Sequence, residues 1–524
     1  MARESNNLIN NQIANFSYGM TTSRENDSRY SQLIKNFDAH SHKDKLIPNR
    51  DSESGDSNAS TSKKENFAIS LRTGTTYSLY SLGVKTGAAT AEVLFKNLTS
   101  TMSTDLSDNG WDTPSNNQSS AGSTQFSLFT YYRTTGLIYG ARSNRYIWAF
   151  SPSGSSWNDT SKDLNDYSGV FSSSFTTITN GLVHSKDDIL YIGVDNWLIA
   201  NDSGTWTSGT EPLLELPPYL KITSLSEYGN YLAIGCAPKS GFGNSIVYLW
   251  DRDSSFNTIS ESIDWGEGEL KILEEIEGEL IGISYPGSQL SNFNQKVVFR
   301  SYSGGKASTI FKELVNDTVF TAKHNPSAKQ KVNNSLYFLM KITINGVIQE
   351  GLWKISRVRP NLPFSVVLDT PPNNDTELTD GTLNGFIVVG DYKFISYIDS
   401  STYGLSKTNN SSSYTATSVY ETQIINDGSS AVTKQLKGLS VSHEKLASGT
   451  TITIKYKKDD ETSFTTLGSN TNTNSLRYSV INIESTGAAL PLYKDLTLRI
   501  EVTGGKTPIT GLKYRSEVIN DDAY

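Results

Sequence analysis

Lys221-Ile-Thr-Ser-Leu-Ser226, then a Glu227-Tyr-Gly-Asn230 break, then Tyr231-Leu-Ala-Ile-Gly-Cys236, a Gly/Asn-rich loop, and Ser245-Ile-Val-Tyr-Leu-Trp250 make up most of the stretch from Leu220 to Asp251. Three short apolar runs alternate with turn residues, and each run is too short for a helix and bounded as a strand should be. The links are too short for crossover helices, so the runs form an antiparallel meander. A lone meander keeps two open edges and one bare face, and three strands of this kind need a partner surface to be stable. The stretch therefore predicts copies of itself.

The copies are present. Runs of the same type, several closing on glycine, stand at Tyr77–Gly83, Leu137–Gly140, Leu190–Gly193 and Tyr231–Gly235, followed by Leu280–Ser284, Leu336–Met340 and Tyr392–Tyr397. Most are followed by an aromatic-bearing partner run, at Tyr146–Phe150, Asn196–Ala200, Ile246–Trp250, Val297–Arg300 and Gly351–Ile355. Asn345-Gly346 between two apolar runs is a two-residue hairpin signal, because both residues tolerate positive φ. The spacing, roughly 40 to 60 residues, lies within or slightly above that of propeller blades. All eight tryptophans fall between Trp111 and Trp353, as stacked blade faces would require. The reading is all-β: an irregular β-propeller of about seven blades over residues 67–415, with two or three separate sandwiches as the competing arrangement.

Two flanks differ. Residues 1–66 are polar and lack strand alternation, and read as an extended N-terminal arm with one local exception. Tyr30, Leu33, Ile34 and Phe37 fall at i, i+3, i+4 and i+7, which predicts one face of a short helix capped by Asp27 or Ser28. That face packs either on its own domain or against a neighbouring subunit, making these four the candidate inter-subunit residues. Arg50–Ser60 reads as a link. Residues 416–524 contain no Trp and carry long alternating strands, Thr451–Tyr456 and Asp495–Val502, in which Ile452, Ile454 and Tyr456, and Leu496, Leu498, Ile500 and Val502, share a face. These predict a C-terminal, jelly-roll-like β-sandwich.

Composition narrows function. The 524 residues carry a formal net charge of -8 without a dominant block, against the concentrated Lys/Arg that nucleic-acid or anionic-membrane binding needs. Cys236 is the only cysteine, so no intrachain disulfide forms. The first residues lack a signal-peptide core and no run of about eighteen apolar residues occurs. We therefore expect a soluble protein made in a cytoplasm.

The chemistry-bearing groups are sparse. His40-Ser-His42, flanked by Asp38 and Asp44, lacks the converging ligands of a zinc site and reads as a solvated pair. His184, His324 and His443 belong to no assembled constellation. The acidic tract Asp264–Glu279 could supply paired carboxylates for glycoside hydrolysis. Its interleaved Leu270, Ile272, Ile276 and Leu280 favour a solvated blade edge instead. Asp202-Ser-Gly-Thr-Trp206 is similar to a sialidase aspartate box but is one residue short, and reads as a turn. No catalytic residue, metal ligand or cofactor-binding residue is predicted, and no cofactor. Exposed aromatics such as Trp265 or Trp206 are the candidates for stacking on a sugar.

The layout, with the phrases Asn15-Phe-Ser-Tyr-Gly-Met-Thr-Thr22, Lys35-Asn-Phe-Asp38 and Lys45-Leu-Ile-Pro-Asn-Arg50 and the C-terminal Gln435–Val441 and Ile452–Lys457, resembles the β-propeller virion proteins of tailed bacteriophages. Tyr18 stands where the usual phrase has a second Gly. The resemblance implies a non-enzymatic virion component of the tail or capsid–tail junction. Its partners would be other virion proteins and copies of itself, with no nucleic acid and no membrane, and a host-surface glycan as a further partner. A glycan-binding or glycan-cleaving attachment propeller is the alternative.

Overall fold

The seven runs become the second strands of seven sheets. The computed structural model describes residues 8–14, 16, 20, 31–42, 44–50, 52–54, 66–73, 76–84, 91–98, 128–141, 146–151, 156–164, 178–179, 181–207, 212–253, 259–287, 296–305, 307–316, 323–324, 326–344, 346–372, 378, 381–390, 392–399, 402–408, 414, 416–427, 429–471, 478–481 and 491–519. Among these no α-helix occurs. The chain divides into two compact units, one of Ser54–Glu350 and Glu377–Lys407, the other of Met1–Glu53, Gly351–Thr376 and Thr408–Tyr524.

The first unit is the propeller. Its sheets span residues 66–98, 128–163, 182–215, 220–267, 269–315, 329–350 and 382–408, and are formed largely of strands consecutive in the chain. The first strands of successive sheets touch in turn, from Asn66–Thr73 through Leu128–Tyr132, Leu182–His184, Leu220–Tyr228 and Glu269–Ile276. The strands Lys329–Val332 and Ser335–Ile344 then meet Thr382–Val389, which returns to Asn66–Thr73 and closes the ring. The opening stretch folds as three consecutive strands of one sheet, Leu220–Tyr228, Tyr231–Pro238 and Asn244–Trp250, with Ile259–Glu267 as the fourth.

The glycine that closes these runs has a packing reason. A Cβ at Gly193 would stand 2.6 Å from Ile222 Cγ2, on the first strand of the next sheet, and one at Gly235 would stand 3.0 Å from Leu270 Cδ2. Neighbouring sheets thus approach to backbone distance, and apolar side chains fill the space on either side. Tyr191 and Leu198 of one sheet pack with Leu220, Ile222 and Trp250 of the next, where the Tyr191 and Trp250 rings meet edge-on at 6.0 Å. Burying each such side chain is worth about 1.5–3 kcal/mol. Serines add direct stitches: Ser224 and Ser226 Oγ accept from the amides of Leu273 and Glu275 at 3.0 Å.

The second unit is the sandwich, and it is larger than residues 416–524. In one sheet the strands run from the end of Val347–Ser356 through Ser365–Thr370, Ser31–Lys35, Ser418–Thr422, Leu496–Thr503 and Thr451–Lys458 to Thr465–Asn470. In the other, Leu8–Ile13 pairs with Ile509–Val518, which pairs with Lys434–His443. The faces expected from alternation lie opposite one another in register, Ile452 against Val502 and Ile454 against Ile500, all buried.

The N-terminal segment corrects two expectations. Residues 1–53 are not a separate arm but supply strands to the sandwich, and Ser31–Lys35 is a strand rather than a helix. It pairs antiparallel with Ser418–Thr422 and parallel with Ser365–Thr370. Leu33 and Ile34 are adjacent in regular pairing and so face opposite sides of the sheet; both are buried because both faces of this interior strand are covered, and Asn36 at φ 56° turns the chain before Phe37. The helical spacing is thus a product of two-sided burial and a left-handed turn. Two partner strands hundreds of residues away supply the ladder hydrogen bonds, and tertiary context overrides local periodicity. Trp353 belongs with the sandwich unit, and within Arg50–Ser60 the residues Ser52–Ser54 form a strand.

Replacing Ile34, which is fully buried, with Ala should cost about 2–4 kcal/mol in urea unfolding, whereas a solvent-facing position would cost less than about 0.5 kcal/mol. Deleting residues 1–53 should expose the 418–519 region to limited proteolysis, because it removes an interior strand from its sheet.

Candidate functional site

The structure disperses the residues singled out in the sequence. Leu33, Ile34 and Phe37 are buried within their own chain, so they present no face to a neighbouring subunit, and Tyr30 lies outside the described residues. His40 and His42 are not a solvated pair. His42 is exposed, but His40 is buried with Nε2 2.7 Å from Ser365 Oγ. Burial, with Lys354 nearby, pushes the His40 imidazole down to about 3 despite Asp38 and Asp369. His324, packed 5.2 Å from the Tyr285 ring, is likewise held at about 3 by burial. His184 Nδ1 accepts from Arg252 Nη1 at 2.5 Å, and Arg252 also bonds Asp187 at 3.1 Å. Among the described residues, no group of three or more His, Cys, Asp and Glu could hold a metal ion.

Asp202–Trp206 is a turn, as expected: Asp202 pairs with Thr205, and Ser203 and Gly204 carry φ of 52° and 95°. The sugar-stacking candidates change. Trp265 is fully buried, its ring against Gly282, and Trp206 is half-buried with Tyr139 edge-on at 5.9 Å. Both rings pack against the adjoining sheet.

The acidic tract divides: Asp264 and Glu267 lie exposed on Ile259–Glu267, the outermost strand of its sheet, as a solvated edge requires, whereas the residues after them take a different place. Glu269–Ile276 is a first strand, at the inner end of its sheet, with Leu270, Ile272 and Ile276 buried as their interleaving predicted. Its carboxylates meet lysines. Glu269 Oε1 lies 2.5 Å from Lys221 and 2.6 Å from Lys271, and Glu275 Oε2 lies 2.6 Å from Lys331. Glu274 Oε2 lies 2.8 Å from Lys329 Nζ, which also donates to the carbonyls of Leu225, at 2.7 Å, and Leu273. One ammonium thereby joins three consecutive sheets. Burial alone would raise the Glu269 carboxyl, but Lys271 and Lys221 outweigh it and hold it below the ordinary carboxylate range. Paired lysines explain why three carboxylates, Glu269, Glu274 and Glu275, are tolerated on one packed strand.

At the end of the same sheet where Glu269 starts its strand and Tyr285 ends the next, a pocket of about 150 Å³ opens. Arg300, only 7% exposed, forms part of its wall. Its Nη1 donates to Ser284 Oγ at 3.2 Å and its Nη2 to the Glu267 carbonyl at 3.1 Å. Gly266, at φ 81°, lets the backbone lie over the guanidinium. Lys296, 3.0 Å from Glu313, stands at the rim. No sequence signal marks this pocket, because its walls come from strand ends up to forty-six residues apart (Glu267 to Glu313). In the sandwich unit a second pocket, of about 200 Å³, is bordered by Asn11, Gln423, Asp427 and Tyr514. There Asp427, at φ 48°, accepts from Asn11 at 2.9 Å, Tyr514 at 2.7 Å and Tyr493 at 3.0 Å.

No family model matches the chain, and no curated protein matches it. Among solved structures, the β-propeller domain of Cps50 (Swd1) from Myceliophteria thermophila is similar over 66% of this chain and 99% of that chain, at 9% sequence identity and a TM-score of 0.38.

Lys329→Ala leaves Glu274 and two carbonyls without their shared donor, and should cost about 3 kcal/mol of unfolding free energy. The double change Lys329→Met with Glu274→Leu should recover much of that loss in the same urea titration. Acid sensitivity should begin well above carboxylate titration. His40 and His324 are depressed in the folded state, so unfolding takes up protons below about 6.5, and stability present above that pH is lost as it falls toward 3. The slope should reach about 1.4 kcal/mol per pH unit per histidine, and His40→Gln with His324→Gln should flatten it between pH 6.5 and 4.5.

Proposed function

We propose that this protein is a non-enzymatic structural component of a tailed-phage virion, in the tail or at the capsid–tail junction, holding neighbouring virion proteins and copies of itself in a symmetric assembly. The observation that carries the reading is the construction of the sandwich unit from three separate stretches of chain, with the N-terminal strand Ser31–Lys35 interior to its sheet. A unit built this way is complete only once its late strands Leu496–Thr503 and Ile509–Val518 have been made, and Ser31–Lys35 cannot be withdrawn without splitting the sheet. This suits a part that is assembled once and then endures. The charged stitching of the propeller's inner strands points the same way, since it rigidifies the ring. Both features accompany the N-terminal phrases that resemble phage propeller virion proteins.

The test is direct. Mass spectrometry of purified particles of the phage encoding this chain should recover its peptides at a stoichiometry of several copies per particle. Cryo-electron microscopy of those particles should show its seven-sheet ring at or near the tail. Absence of the chain from purified particles overturns the proposal.

A further inference from the structure

We propose that the Arg300 pocket of the propeller binds an acidic saccharide, with the guanidinium taking the sugar's carboxylate. This inference stands apart from the virion reading. A guanidinium has five N–H donors in a fixed fork, and buried charges are ordinarily paired with an opposite charge. Arg300 is 7% exposed, yet both of its protein acceptors, Ser284 Oγ and the Glu267 carbonyl, are neutral. Among the described residues, no carboxylate lies within ion-pair distance of it; Asp264 and Glu267 act on it only through their field. Arg300 lines a pocket of about 150 Å³, the scale of a single sugar ring.

The rest of the lining selects among anions. Glu267, Glu313 and Ser284 bring acceptors to the same small space. Two carboxylates beside two cations, Arg300 and Lys296, disfavour a doubly charged phosphate. They suit a ligand that carries one carboxylate for Arg300 and several hydroxyl donors for the acceptors, which describes a sugar acid. An acidic peptide supplies the carboxylate without the hydroxyls.

The surroundings supply a stacking surface. Phe242 is 52% exposed and Tyr219 60%, on the neighbouring sheet. The Lys239 amide donates to the Tyr219 carbonyl at 2.8 Å, placing Tyr219 beside the loop that carries Phe242. The backbone at Gly241 abuts Gly287 too closely for a Cβ, and Gly287 directly follows the pocket residues Tyr285 and Pro286. Aromatic faces that remain exposed next to a charged pocket are suited to the apolar face of a further sugar ring.

Isothermal titration of the full-length protein tests this with tetragalacturonate and sialyllactose. The controls are a neutral galacto-oligosaccharide of equal length, a Glu-rich peptide and inorganic phosphate. At least one acidic sugar should bind saturably, with the neutral sugar, the peptide and phosphate each at least roughly tenfold weaker. Arg300→Lys should weaken the acidic sugar at least about tenfold, because an ammonium cannot make the bidentate contact. Phe242→Ala, at an exposed position that folding does not need, should weaken it several-fold, and carries the test if Arg300→Lys fails to fold. Absence of saturable binding by either acidic sugar overturns the proposal. So does equal binding of phosphate or the Glu-rich peptide, or affinity unchanged by the folded variants.

Discussion

Each propeller sheet depends on the close approach of the next sheet's first strand. Gly193 lies against Ile222 at a distance that excludes a Cβ, and Gly235 against Leu270 where a Cβ would be tight, and this closeness lets Tyr191, Leu198, Ile222 and Trp250 share one buried cluster. A sheet withdrawn from the ring would bare both faces and its inner edge at once. The free energy of any single sheet is therefore largely the free energy of its two interfaces, as in other stacked architectures. The bland sequence signature, an aromatic-aliphatic run closing on glycine, is the local trace of that interfacial requirement.

The same geometry sets where charge is permitted. First strands crowd together near the axis, where backbone groups and side chains are drawn out of water. Glu269, Glu274 and Glu275 persist there because Lys221, Lys271, Lys329 and Lys331 come to them from their own and adjoining sheets. The lysine at 329 also satisfies carbonyls of two other sheets, so its ammonium joins strands that share no ladder hydrogen bonds. At Arg300 the compensation is only partial: its bonds go to neutral acceptors, and the pocket beside it leaves room for a charge from outside. That contrast between a closed charge network and an open one, within one sheet, distinguishes scaffold from candidate site.

The N-terminal segment shows where local reading gives way. Tyr30, Leu33, Ile34 and Phe37 carry helical spacing, yet the described part of that segment is a bulged strand held between Ser365–Thr370 and Ser418–Thr422. His40, read as solvated from its polar neighbours, is enclosed by the same unit and bonded to Ser365. Trp265, read as an exposed stacking surface, is core. In each case the deciding partner lies on another element, from tens to hundreds of residues away, and no short window of sequence contains it.

What the sequence determined by itself is the set of contacts whose reach is short. Turn residues such as Glu227–Asn230, period-two alternation in Thr451–Tyr456 and Asp495–Val502, and seven recurring runs were enough to mark the second strands, the hairpins and the all-β class. Neighbouring antiparallel strands joined by tight links follow from backbone geometry alone. Only the tertiary structure decided that residues 1–53 and 351–376 join the sandwich unit, that Glu269–Ile276 is an inner strand, and that Arg300 lines a pocket. These depend on pairing and burial between segments distant in the chain, where the free energy comes from surfaces that meet only once the ring and the sandwich have closed.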